Sequence, residues 1–91
     1  MFNSEVSDLS PIDSAAVKSD NGVIYALPRP ARHCRILQYM ERLGIATINS
    51  TQGFLTLSGN FVDRATAHNR AVACKQIKPK STLELFTEDL W

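Results

Sequence analysis

The sequence is poor in the residue groupings by which many activities can be recognised. No CxxC or HxxxH pair occurs, and the four residues of zinc-ligand type, His33, Cys34, His68 and Cys74, lack the spacing of a structural zinc site. Glycines are few, and neither Gly53 nor Gly59 leads into the lysine of a phosphate-binding loop. Acids are nearly missing from the middle of the chain. Between residues 21 and 80 only Glu41 and Asp63 occur, which leaves no carboxylate pair there for glycoside or phosphate chemistry. Long apolar runs are also lacking, and this excludes an ordinary membrane-spanning helix. The first 20 residues have no basic stretch followed by an apolar one, so no secretory signal is read there. With only two cysteines and no export pattern, a structural disulfide is not expected. The expected location is a cytoplasm, with no membrane association, no metal and no cofactor.

What is present is an uneven charge. Residues 1–20 carry four acids against Lys18, residues 21–80 carry nine Lys or Arg against two acids, and residues 81–91 carry three acids and no base. A basic middle between acidic ends attracts polyanions or is neutralised by its own ends. At 91 residues the chain has room for one core, and that core is marginal enough for a partner or a second copy to matter, so a homo-oligomer remains open.

The centre of the chain holds the clearest structural signals. Phe54 to Leu57 and Phe61 to Val62 flank Ser58-Gly59, where glycine lets the backbone reverse, and a hairpin is expected. Asp63 follows directly and has the position and chemistry of a helix N-cap. The second helix is expected over about Arg64 to Gln76, with Ala67, Ala71, Cys74 and Val72 facing inward. Upstream, Val23 to Leu27 reads as a strand closed by Pro28 and Pro30. A helix from about Pro30 to Leu43 places His33, Ile36, Leu37, Met40 and Leu43 on one face, and Gly44 stops it. Ile45 to Ile48 reads as a short strand. Residues 1–20 read as a flexible acidic arm, although Val6, Leu9 and Ile12 recur at threefold spacing and leave a weak helical stripe open.

Residues 81–91 break the rule that chain ends are polar. They hold Leu83, Leu85, Phe86, Leu90 and Trp91, so this tail either packs back on the domain, with Thr87 capping a terminal turn, or serves as an apolar and acidic hook. Packing back is the favoured reading. The expected fold is α+β: an arm over 1–20 and one domain over 21–91, with element order β-α-β-β-β-α, an antiparallel hairpin sheet and two helices.

Four arginines, Arg29, Arg32, Arg35 and Arg42, lie on or just before the polar side of the first helix against one acid, Glu41. They read as a solvated face or as a carboxylate- or phosphate-binding surface, because arginine makes planar bidentate contacts. Together with Phe86, Glu88, Asp89 and Trp91 of the tail they are the candidate binding residues. Tyr25, Phe54 and Phe61 on strands can stack bases, although no RNP motif accompanies them. A nucleophile pair of Cys34 and His68 would need tertiary contact, and no catalytic residue is assigned.

Four segments carry a resemblance: Leu27-Pro28-Arg29-Pro30-Ala31-Arg32-His33, Gln52-Gly53-Phe54-Leu55-Thr56, Gly59-Asn60-Phe61-Val62-Asp63-Arg64 and Leu85-Phe86-Thr87-Glu88-Asp89-Leu90-Trp91. Over residues 23–91 the chain resembles small uncharacterised proteins encoded by bacteriophages and prophages. It departs from their pattern at Ala65-Thr66-Ala67-His68-Asn69-Arg70, where a more acidic helix start is expected. The resemblance implies a phage origin and no particular reaction. The expected function is a phage accessory protein that binds a host macromolecule, a host protein first, and inhibits a host defence system, as an inhibitor of the anti-CRISPR or anti-restriction type. A nucleic-acid-binding protein using the arginines is the alternative, and a Cys/His enzyme the third.

Overall fold

The computed structural model describes residues 9–91. Its elements are β1 (Ile12–Lys18), β2 (Ile24–Ala26), α1 (His33–Arg42), β3 (Thr51–Thr56), β4 (Phe61–Asp63), α2 (Arg64–Ala73) and a single 3-10 turn over Thr87–Asp89. The four strands form one antiparallel sheet in the order β2-β1-β3-β4. The α+β class is as expected, while the element order is β-β-α-β-β-α.

Two strands account for the difference. Residues 12–18 form the central strand β1, paired with both β2 and β3, where the sequence suggested an arm. The apolar–polar alternation of a half-buried strand is missing because both faces of β1 are covered: Ile12, Ala15, Ala16 and Val17 are fully buried and Ser14 nearly so. Serine and alanine also have little strand propensity, so only the neighbouring strands hold them extended. Of the alternative helical stripe, Val6 lies outside the described residues, Leu9 is exposed and Ile12 is in the strand. Residues 45–48 are a loop. Ile45 donates its amide to the Met40 carbonyl at 2.9 Å and Gly44 to Glu41 at 3.0 Å, a Schellman closure of α1 with Gly44 at φ +76°. Ile45 therefore caps the helix and packs on the core cluster beneath α1 instead of entering the sheet.

Both helices lie on one face of the sheet. Cross-strand partners Ala15 and Phe54 share that face. Ile36 and Met40 of α1 pack with Ala15 and Val17, while Ala67 and Ala71 of α2 pack with Ile12, Phe54 and Leu85. Asp63 caps α2 as expected: its carboxylate accepts the Thr66 amide at 2.8 Å, and that bond holds the carboxyl below its usual range. The helix ends earlier than expected, at Ala73, because Lys75 takes a left-handed φ of 59° and Gln76 donates its amide back to Ala71. The Gln76 side chain is then directed to β1, where Oε1 accepts the Ile12 amide at 2.8 Å and Nε2 donates to the Ile12 carbonyl at 3.0 Å. Both thiols are free.

The tail packs back. Leu85 is fully buried and Trp91 touches both core clusters. The turn is capped not by Thr87 but by Asp89, whose carboxylate accepts the Phe86 amide at 2.8 Å; Thr87 is buried as the first residue of the turn.

Candidate functional site

The candidate residues divide according to what holds them. Arg29 leaves the loop after β2 and turns back to β1, donating to the Asp13 carbonyl at 2.7 Å and the Ile12 carbonyl at 3.2 Å. These carbonyls lie beyond the short β2, which pairs with β1 only from Ala16 onward, so the guanidinium supplies a donor to the Asp13 carbonyl and joins Gln76 on that of Ile12. The same group lies over the Trp91 ring, 4.9 Å from its centroid. Arg32, just before α1, donates to the Trp91 main-chain oxygen at 2.5 Å and the Thr87 hydroxyl at 3.4 Å, and pairs with Glu88 at 3.5 Å. Two of the four arginines thus hold the tail and the central strand.

Trp91 is where these contacts converge. Its indole nitrogen donates to the Ala31 carbonyl at 3.1 Å, and its ring meets Phe54 edge to face with centroids 6.4 Å apart. Asp89 is held by Lys80 at 2.7 Å; burial opposes its ionisation, but Lys80 and the Phe86 amide outweigh that and hold its carboxyl below the usual range. Phe86, though partly exposed, lies against two cations, Arg64 at 4.7 Å and Lys80 at 4.6 Å from its ring. Glu88 is exposed, pairing with Arg32 and accepting from the Thr87 hydroxyl at 3.4 Å.

Sequence reading missed Arg64, the first residue of α2. It donates to the Leu85 carbonyl at 2.8 Å and Gln52 at 2.5 Å, and its Nη2 lies 3.4 Å from His33 Nδ1. His33 in turn lies 2.7 Å from the Gly53 carbonyl through Nε2. Nδ1 facing a permanent donor assigns the hydrogen to Nε2 and makes the ring neutral. Burial, with Arg64 adding to it, pushes the imidazole below its ordinary value despite the Gly53 carbonyl. No sequence signal separates Arg64 from the other arginines, because its partners come from β3, α1 and the tail.

Arg35 and Arg42 are different. Both are exposed on α1, and neither side chain has a partner among the described residues. Tyr39 lies between them along the helix and is 43% exposed. Leu27, Pro28, Pro30, Ala31, Arg32, Cys34 and Arg35 edge a depression of about 500 Å³, and Leu27, Arg35, Gln38, Tyr39 and Arg42 a neighbouring one of about 450 Å³. Sharing Leu27 and Arg35, the two make one trough along α1.

The other sequence candidates are not brought together. The Lys80 amide donates to His68 Nε2 at 3.1 Å, Cys34 is exposed, and Cys74 faces the Leu9 carbonyl. Among the described residues no three His, Cys, Asp or Glu side chains converge to hold a metal ion. The base-stacking aromatics are also placed otherwise, with Phe54 fully buried, Tyr25 packed beneath α1 and Phe61 half-buried beside Lys18. Among the described residues no helix is long and apolar enough to cross a membrane.

Fold and site together define a small α+β protein whose tail is tied into its core and in which Arg35 and Arg42, without partners among the described residues, lie along one helix. The chain belongs to the Phage T4 y16D protein family, whose model matches residues 11–91. That match starts before β1, earlier than the resemblance seen in residues 23–91, and it takes in every element of the fold. No curated protein and no solved structure matches the chain.

Proposed function

We propose that this phage protein acts by binding a host protein through the outward face of α1, in a binding role and not a catalytic one. The observation that carries the reading is the exposure of Arg35 and Arg42 without partners among the described residues, on either side of a half-exposed tyrosine. Unpaired arginine beside an exposed aromatic ring is the composition that interface centres favour. Membership of a phage family supports a partner from the host. A nucleic-acid partner is less well supported, since Arg29 and Arg32 are already engaged. Two available arginines correspond to a salt slope of about −2, well short of interfaces that neutralise about 6–10 phosphates.

The experiment is affinity capture from host lysate with the parent and with Arg35→Glu/Arg42→Glu, after thermal melts show that both fold alike. Capture by the parent alone is expected. Equal capture by both, or none by the parent, overturns the reading. Deleting residues 83–91 is not a clean control, because it removes Leu85 and Trp91 from the core. The narrower form of the reading makes the partner a component of a CRISPR or restriction system in the host cytoplasm. Its test is the plating efficiency of a sensitive phage on hosts expressing the protein, with and without that system. Expression should restore plating only where the system is present, and unchanged plating removes the narrower form.

A further inference from the structure

We infer that the trough along α1 takes an extended acidic segment of the partner, with two carboxylates three residues apart, one on Arg35 and one on Arg42. The inference rests on the host-protein reading above and adds the chemistry of what is bound. Charge complementarity comes first. Both guanidinium groups are exposed without a partner among the described residues, and the one acid nearby on the helix, Glu41, is adjacent in sequence to Arg42 and so points to a different side. Spacing comes second. Arg35 and Arg42 are seven residues apart, which on an α-helix is about 10.5 Å of rise and a return to within about 20° of the same direction. In an extended polyproline-II segment, residues three apart share one side and stand about 9.3 Å apart. Adjacent acids span about a third of that distance and would reach one arginine at a time. The walls come third. Leu27, Pro28 and Pro30 form an apolar edge on the part of the trough beside Arg35, Leu27 continues it into the part beside Arg42, and Tyr39 stands between the two cations. Rigid apolar walls with an aromatic ring suit a partner backbone that arrives already extended.

The test uses fluorescence anisotropy at low salt with labelled peptides of proline, valine and threonine. One carries two aspartates three residues apart, a second carries the same aspartates adjacent, and a third carries lysines in their place; labelled oligothymidylate is the nucleic-acid arm. The spaced peptide should bind tightest and the lysine peptide not at all. Each of Arg35→Ala and Arg42→Ala should weaken the spaced peptide by about threefold, the scale of one exposed ion pair, with melts like the parent's. Equal binding of the spaced and adjacent peptides, unchanged binding by both variants, or tighter binding of oligothymidylate overturns the inference. Capture of a host protein by a chain that ignores the spaced peptide also overturns it and leaves the host-protein reading standing. Spaced-peptide binding with no capture from lysate supports the trough and removes the host-protein reading.

Discussion

The N-terminal end of α1 and its outward face both bear arginines, yet they make opposite use of them. At the N-terminal end, Arg29 and Arg32 meet backbone carbonyls, the Trp91 ring and the tail acid Glu88. On the outward face, Arg35 and Arg42 are exposed, with no hydrogen-bond or ion-pair partner among the described residues. Identical side chains within one short stretch are therefore structural at one place and available at another. What separates them is whether another part of the chain folds back within reach. An arginine cluster in a sequence counts as a binding surface only after the members that hold the fold have been subtracted.

Substitutions can break or sharpen this contrast. Trp91→Ala should have the largest effect, because the ring joins both core clusters, carries Arg29 over its face and donates to the Ala31 carbonyl. A loss of about 3 kcal/mol is expected in urea unfolding, the low end of the range for Trp→Ala since the ring is only partly buried. Stability within about 0.5 kcal/mol of the parent would show that the tail is not part of the core. Arg64→Met should lose about 2 kcal/mol in the same measurement, since the Leu85 carbonyl and Gln52 lose a charged donor. Asp63→Ala should lose about 1 kcal/mol with α2 intact by circular dichroism, and an unchanged melt would remove the cap.

The buried end of α1 should also respond to pH. His33 has its pKa lowered in the folded state, so below the ordinary imidazole value of about 6.5 the unfolded chain takes up a proton that the folded chain refuses. Its contribution is complete above that value and is lost as pH falls towards the lowered one. The urea midpoint should drop from pH 7 to pH 5, and by less in His33→Gln; equal drops would place the titration elsewhere. The smallest effect belongs to the outward pair. Arg35→Ala and Arg42→Ala should each stay within about 0.5 kcal/mol of the parent. A larger loss from either would show a partner inside the fold and weaken its claim to a binding role.

Much of the local structure was legible in the sequence. The 58–59 turn, the Asp63 cap, the Gly44 stop and the buried face of α1 formed by His33, Ile36 and Met40 all stand where the residues indicate. Leu43, expected on the same face, is exposed because Gly44 turns the chain away directly after it. The binding residues were legible only as a group. Ser14, Ala15 and Ala16 carry no strand signature, and Lys75 carries no sign that it would adopt a left-handed stop. Arg64 stood inside a recognised segment and was still overlooked, because a helix-start arginine on the surface and one in a hub have the same neighbours in sequence.

The sequence by itself determined those features whose partners lie a few residues away: the Asp63 carboxylate and the Thr66 amide are three positions apart, and the chain between them is too short to place them otherwise. Tertiary structure alone decided that residues 12–18 are the central strand and that Arg32 holds Trp91 while Arg35 holds nothing described. Arg32 and the Trp91 oxygen are 59 residues apart, and Ile12 and Gln76 are 64 apart. Bringing such groups together depends on closing long loops, which no local propensity encodes and which only the burial of the shared core offsets.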